Sequence, residues 1–188
     1  MDFLPNSSLG IHLSIADASG DSAIIEYLDG RVHVYHDKQY KVMTNDPSYQ
    51  KQLDNLSRYN GFGGEKSLPG SFSSDDRFVR AAFYEKGIPS SNILTEEVYG
   101  LLSVMEKISQ PERSATTESP YAARTIWRNV ADLTHKTYYY QSRTQRQLIS
   151  FSLDAFNLNK DAPILTYYPL QHPNHTGDVS PFFKASSL

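Results

Sequence analysis

Residues 41–53 read KVMTNDPSYQKQL, and this stretch decides the fold because the hydrophobic period changes inside it. Before it the apolar residues recur every second position, the signature of strands. After it they recur every third or fourth, the signature of helices. Asn45 stands at the junction, beyond the apolar segment YKVMT (40–44) and ahead of Asp46-Pro47.

Upstream, GIHLSIADA (10–18) alternates Ile11, Leu13 and Ile15 with His12 and Ser14, which predicts a strand with one buried and one polar face. After the turn ASGD, SAIIEYLDGRVHVYH (22–36) sets Ala23, Ile25 and Tyr27 against Val32 and Val34 across Asp29-Gly30. Asp-Gly tolerates the positive φ of a tight turn, so the run predicts a hairpin. YKVMT completes an expected four-stranded antiparallel meander.

Downstream, Tyr49, Leu53, Leu56 and Tyr59 follow helical spacing, with Pro47 suited to the first turn and Asp46 to the cap. A second helix is expected over 75–86, between the serines and aspartates of SFSSDDRFVR and the stop signals Gly87 and Pro89. A third is expected over 95–108, where Val98, Leu101, Leu102, Met105 and Ile108 form one stripe. The polar run SQPERSATTESPYA (109–122) reads as loop. TIWRNVADL, KTYYYQS and RQLISFSL then read as three more strands, Trp127 as core, and the chain beyond Asp161 as an extended, proline-rich tail. Strands, then helices, then strands imply an α+β domain in which an antiparallel sheet carries packed helices. A length of 188 residues fits a single domain or a large piece of one.

Composition narrows the function classes. The net charge is −3, with 18 basic and 21 acidic residues and no basic cluster, so neither nucleic acid nor an anionic membrane is an expected partner. No apolar run approaches the roughly 20 residues of a membrane span, and the first ten residues carry no export signal, so a soluble chain is expected. There is no cysteine, which removes disulfides, thiolate metal sites and thiol nucleophiles. His172 and His175 in HPNH lack the further ligands a metal site needs, and no metal or cofactor is expected. His12, His33 and His36 read as ordinary strand residues, Asp17 and Asp21 as turn residues, and the tyrosines at 138–140 as a half-buried strand.

The runs SIADASGDSAIIEYLDG, VMTNDPSYQKQL, LPGSFSSDDRFVRAAFYEKGIP and TIWRNVADLTHKTYYYQS resemble, in order, successive segments of the choloylglycine hydrolase family, which includes bile salt hydrolases and penicillin V acylases. The short glycine loop before LPG looks more like the acylases of Gram-negative bacteria. The resemblance implies an αββα sandwich of the N-terminal nucleophile class and hydrolysis of non-peptide linear amide bonds in conjugated bile salts, penicillin V or N-acyl amides. It assigns Asn45, of the MTN motif, to the oxyanion hole, and Arg77, the first arginine of RFVR, to the active-site arginine. An oxyanion donor must be neutral, short and held rigidly, which suits asparagine. On residues alone, Asn45 beside Asp46-Pro47 also reads as turn chemistry, and Arg77 as a solvated cation neutralised by Asp75 and Asp76. Arg80 is the better placed of the two arginines for Asp76 and reads as structural.

The resemblance also implies a departure. Family members begin with a cysteine nucleophile, and the present chain matches only their C-terminal portion. Residues 1–188 are therefore expected to be the C-terminal part of one such domain, inactive alone and prone to self-association through uncovered sheet. Ser7 and Ser8 are not expected to replace the thiol. Three readings follow: a fragmentary hydrolase, one chain of a split enzyme acting on a small-molecule amide once completed, or a non-catalytic module binding acyl or sterol ligands. Localisation stays open between periplasm and cytoplasm.

Overall fold

The structure, a computed structural model, describes residues 11–114 and 124–186. Residues 115–122 of the expected loop, and Ser7 and Ser8, lie outside the described residues. The chain forms two compact units, Met1–Gly87 and Ile88–Leu188.

In the first unit β1 (Ile11–Ala16), β2 (Ser22–Leu28) and β3 (Arg31–His36) form an antiparallel sheet in the order β1-β2-β3. Asp29 and Gly30 both take positive φ, 50° and 74°, the conformation of a type I′ hairpin turn. The β1–β2 turn is tied by Asp17, whose Oδ1 accepts from the Ser19 amide at 2.8 Å and from its hydroxyl at 2.7 Å.

Two strand expectations are corrected. The segment 40–44 is not a strand: Tyr40 and Val42 pack side-on against the core, and the sheet stops at three strands. The buried face is also the opposite of the one expected. Ile24 and Glu26 are buried, while Leu13, Ile15, Val32 and Val34 are each more than half exposed. Both faces of β2 carry apolar residues, so alternation alone cannot choose between them, and Tyr49 and Phe78 close over Ile24.

α1 (Tyr49–Leu56) and α2 (Ser74–Glu85) follow. Pro47 precedes α1 rather than opening it, the Asp46–Pro47 peptide is cis, and Ser48, not Asp46, occupies the N-cap position. The cap comes from a distance: both carboxylate oxygens of Glu26, on β2, accept from the Tyr49 amide at 2.9 Å. A buried anion at a helix N-terminus satisfies an orphan donor and complements the helix dipole. α2 is capped by Ser73, whose Oγ accepts from the Asp76 amide at 3.4 Å. Between the helices, Gly64 lies so close to the backbone of Arg58 that any Cβ would collide with it. Tyr49 stacks edge-on with Tyr40 and Phe78, ring centroids 5.6 and 5.7 Å apart.

In the second unit α3 (Leu94–Ile108) buries Val98 and Leu102 against Val130, with Met105, Tyr139 and Leu148 around them. Leu101, expected in the buried stripe, is 40% exposed. β4 (Trp127–Asp132), β5 (Thr137–Ser142) and β6 (Ile149–Ser152) pair antiparallel. Trp127 is 54% exposed and is not core. The tail is not merely extended: β7 (Leu165–Thr166) pairs with β9 (Lys184–Ala185), and β8 (Gly177–Asp178) joins β6 in parallel. Aromatic contacts explain the return, since Phe183 packs on Phe151 at 5.3 Å and Phe151 stacks on Tyr138 at 5.4 Å. His172 and His175 stack on each other at 4.8 Å, and His175 Nδ1 lies 3.0 Å from the Tyr167 hydroxyl.

Candidate active site

The junction at 44–48 is held by a buried glutamine. Gln52, 1% exposed, donates through Nε2 to the carbonyls of Asn45 at 2.9 Å and Pro47 at 2.8 Å, and accepts at Oε1 from the Thr44 hydroxyl at 2.7 Å. Thr44 Oγ1 also lies 3.0 Å from the Ser74 carbonyl and receives the Ser74 hydroxyl at 3.0 Å. The turn is thereby fastened to the first turn of α1's neighbour, α2.

Arg77 projects from that same turn of α2, and its Nη2 donates to Asn45 Oδ1 at 3.1 Å. The two residues singled out from the sequence, 32 positions apart, are thus in direct contact. A guanidinium can only donate, so the amide atom facing it must be the oxygen. That contact fixes the amide: its Nδ2 points away from Arg77 and makes no hydrogen bond among the described residues. A neutral N–H donor on a rigid turn, backed by a fixed cation, is the arrangement that stabilises an oxygen acquiring negative charge.

Among the described residues the hydrogen bonds of both side chains differ from those expected of an ordinary turn asparagine and a neutralised surface arginine. The Asn45 side chain does not bond its own backbone. Among the described residues Arg77 makes no ion pair with Asp75 or Asp76; Asp76 Oδ2 instead accepts from the Ser71 amide at 3.1 Å. Arg77 is half-buried, its Nε is buried without a partner, and burial, with Arg80 nearby, pulls its pKa below the ordinary value. Guanidinium basicity leaves it charged at neutral pH all the same. Arg80 is structural as expected but for a different reason: it is 7% exposed and donates to the carbonyls of Ser71 at 2.6 Å and Pro69 at 3.3 Å, not to Asp76.

Gln52 and Glu26 were invisible to motif reading. Gln52 did leave a signal, because Tyr49, Gln52, Leu53 and Leu56 share one helical face and a glutamine on an apolar face needs partners. Glu26 left a similar one, flanked by Ile24 and Leu28 on the same side of β2.

Comparison with known proteins places the chain in a family. The model of the linear amide C–N hydrolases, choloylglycine hydrolase family, matches residues 2–166. A penicillin V acylase of Pectobacterium atrosepticum is 32% identical over 93% of this chain and 50% of its own length. A bile salt hydrolase/transferase of Lactiplantibacillus plantarum is 29% identical over 89% of this chain and 56% of its own. Among solved structures, penicillin V acylase from Agrobacterium tumefaciens superposes with a TM-score of 0.81 and 34% identity, covering 94% of this chain and 56% of that one. A mutant conjugated bile acid hydrolase from Clostridium perfringens shares the fold alone, with a TM-score of 0.69 at 20% identity. The chain spans about half the length of the curated relatives it matches. With its α+β fold of the N-terminal nucleophile type and this run of matched sequence, the chain belongs to the choloylglycine hydrolase family of linear amide C–N hydrolases.

Proposed function

We propose that this chain supplies the oxyanion-stabilising part of a hydrolase that cleaves non-peptide linear amides in small molecules, of the kind named by its relatives: penicillin V, conjugated bile salts or related N-acyl amides. The contact from Arg77 to Asn45 Oδ1 at 3.1 Å carries the reading, because it leaves the Asn45 N–H free to meet the carbonyl oxygen as a nucleophile adds. The proton-bearing nucleophile is the complementary requirement. With no cysteine in its sequence, the chain alone does not turn over substrate, and a cysteine-starting polypeptide completes the centre.

The open face of β1–β3 supports completion by a further sheet. Leu13, Ile25 and Val34 stand in one cross-strand row, beside Ile15 and Val32, and four of these five are more than half exposed. A contiguous apolar sheet face of this kind is a docking surface for a second sheet.

The test mixes the chain with the part of the Pectobacterium acylase that it does not match and follows penicillin V and glycocholate hydrolysis. Turnover is expected only in the mixture, and Asn45→Ala lowers kcat by roughly 10²–10³. Turnover by the chain alone, or full activity of Asn45→Ala in the mixture, sinks the proposal. Ligand binding without turnover in the mixture supports the non-catalytic module instead.

A further inference from the structure

At the other end of α2, about 12 Å along the helix from Arg77, lies an open cleft of about 250 Å³ lined by residues 39–42, α1, Phe62 and α2. Its floor is the buried pair Tyr49 and Phe78. Tyr40, Val42, Leu53, Leu56 and Phe62 form the walls. The rim is charged. Lys41 Nζ pairs with Glu85 Oε1 at 2.9 Å, while Lys86 Nζ sits 3.9 Å from the centroid of the Phe62 ring and 3.5 Å from the Gly61 carbonyl, without a carboxylate partner among the described residues. Two ammonium groups against one carboxylate leave the mouth with an excess positive charge over an apolar, aromatic interior.

We infer that this cavity is a second small-molecule site, separate from the Asn45–Arg77 centre, and that it takes an arylalkyl monocarboxylate. Three features converge on that class. The volume of about 250 Å³ exceeds the roughly 150 Å³ of an apolar cavity that binds benzene, leaving room for one ring with a short tail. Four aromatic side chains, Tyr40, Tyr49, Phe62 and Phe78, line the cleft, and aromatic surroundings favour an aromatic guest. The single uncompensated ammonium, Lys86, favours one negative charge at the mouth.

Phenylacetate is the probe, followed by saturation-transfer NMR on the intact chain. Its aromatic protons are expected to receive saturation, with a Kd on the order of 1 mM given about ten non-hydrogen atoms. Ala82→Phe fills the cavity from α2 and abolishes the transfer while the melting transition is retained. Should that variant lose its cooperative melt, Val42→Phe fills the same space from the opposite wall. Lys86→Gln weakens phenylacetate about fivefold and leaves the neutral phenylacetamide, the weaker ligand, unchanged. Asn45→Ala has no effect on either. An absence of transfer, unchanged binding in a folded cavity-filled variant, or equal affinity for phenylacetamide overturns the inference. Loss of binding in Asn45→Ala also overturns it, by placing the ligand at the other centre.

Discussion

The two units of the chain are built on different principles. Of the five polar or charged residues buried among the described residues, Glu26, Thr44, Gln52 and Arg80 belong to the first unit and Ser142 alone to the second. The second unit is held by Val98, Leu102, Val130, Ile149 and Val179, side chains that need only shape. Burying a polar group is costly unless it is fully hydrogen-bonded, so its use marks places where a backbone must be held in one conformation. All four in the first unit do that: Gln52 and Thr44 hold the turn bearing Asn45, Glu26 holds the start of α1, and Arg80 holds the loop entering α2. The first unit is a mounting for two side chains, and the second is a packed scaffold.

The sharpest way to break this contrast is to delete apolar and polar groups in the first unit and compare their costs. Phe78→Ala, at a site 2% exposed, is expected to destabilise by about 3–5 kcal/mol in urea melts. Glu26→Ala should cost about 1.5–3 kcal/mol, the range for a hydrogen bond to a charged group, and hydrogen exchange should show the Tyr49 amide losing protection first. Gln52→Leu, matched in bulk, should cost about 1–3 kcal/mol by stranding Thr44 and two carbonyls. If Glu26→Ala and Gln52→Leu prove neutral, the polar network is incidental and the contrast between the units fails. At the low end, Val34→Thr on the open sheet face should stay within about 0.5 kcal/mol in the isolated chain.

The smallest effect sharpens the comparison at the edge of the first unit. His36 Nε2 lies 2.9 Å from Asp21 Oδ2. The hydrogen bond raises the His36 pKa above its ordinary 6.5 and lowers that of Asp21 below 3.8. The raised histidine contributes stability that is present below about 6.5 and lost as pH rises through its folded value. The lowered carboxylate contributes stability present above about 3.8 and lost as pH falls through its folded value. The pair therefore helps most between those limits. An NMR titration should find His36 titrating above 6.5 and returning toward that value in Asp21→Asn.

Much of this architecture was legible in the sequence, for identifiable reasons. The hairpin announced itself through Asp29-Gly30, because few dipeptides accept two positive φ values in succession. α2 and α3 begin one residue before the expected positions, α2 at its Ser73 cap and α3 at the head of its apolar stripe. The Asn45 and Arg77 assignments came from resemblance, and only the structure brings the two into contact. What period counting missed shares one cause. It scores each residue as apolar or polar, so a strand apolar on both sides has no defined inner face, and a buried Glu26 argues for the wrong one. YKVMT failed similarly: its side chains suit a strand, but the ladder partner that makes a strand is a tertiary fact. Trp127, expected in the core, stands at an outward strand position instead and stays half exposed.

The cap that Glu26 places on α1 also acts as a check on assembly. Glu26 pairs with His12 on one side and His33 on the other, so its position is fixed by the register of both neighbouring strands. If β2 slipped by one residue, Ile25 or Tyr27 would take its place and turn onto the face that Glu26 occupies; a slip of two would bring Ile24 or Leu28. In each case the Tyr49 amide would meet hydrocarbon instead of a carboxylate, and the helix that carries Gln52 would lose its starting point. The turn bearing Asn45 can therefore set only on a correctly aligned sheet, and a misaligned sheet is left without a centre that could do chemistry.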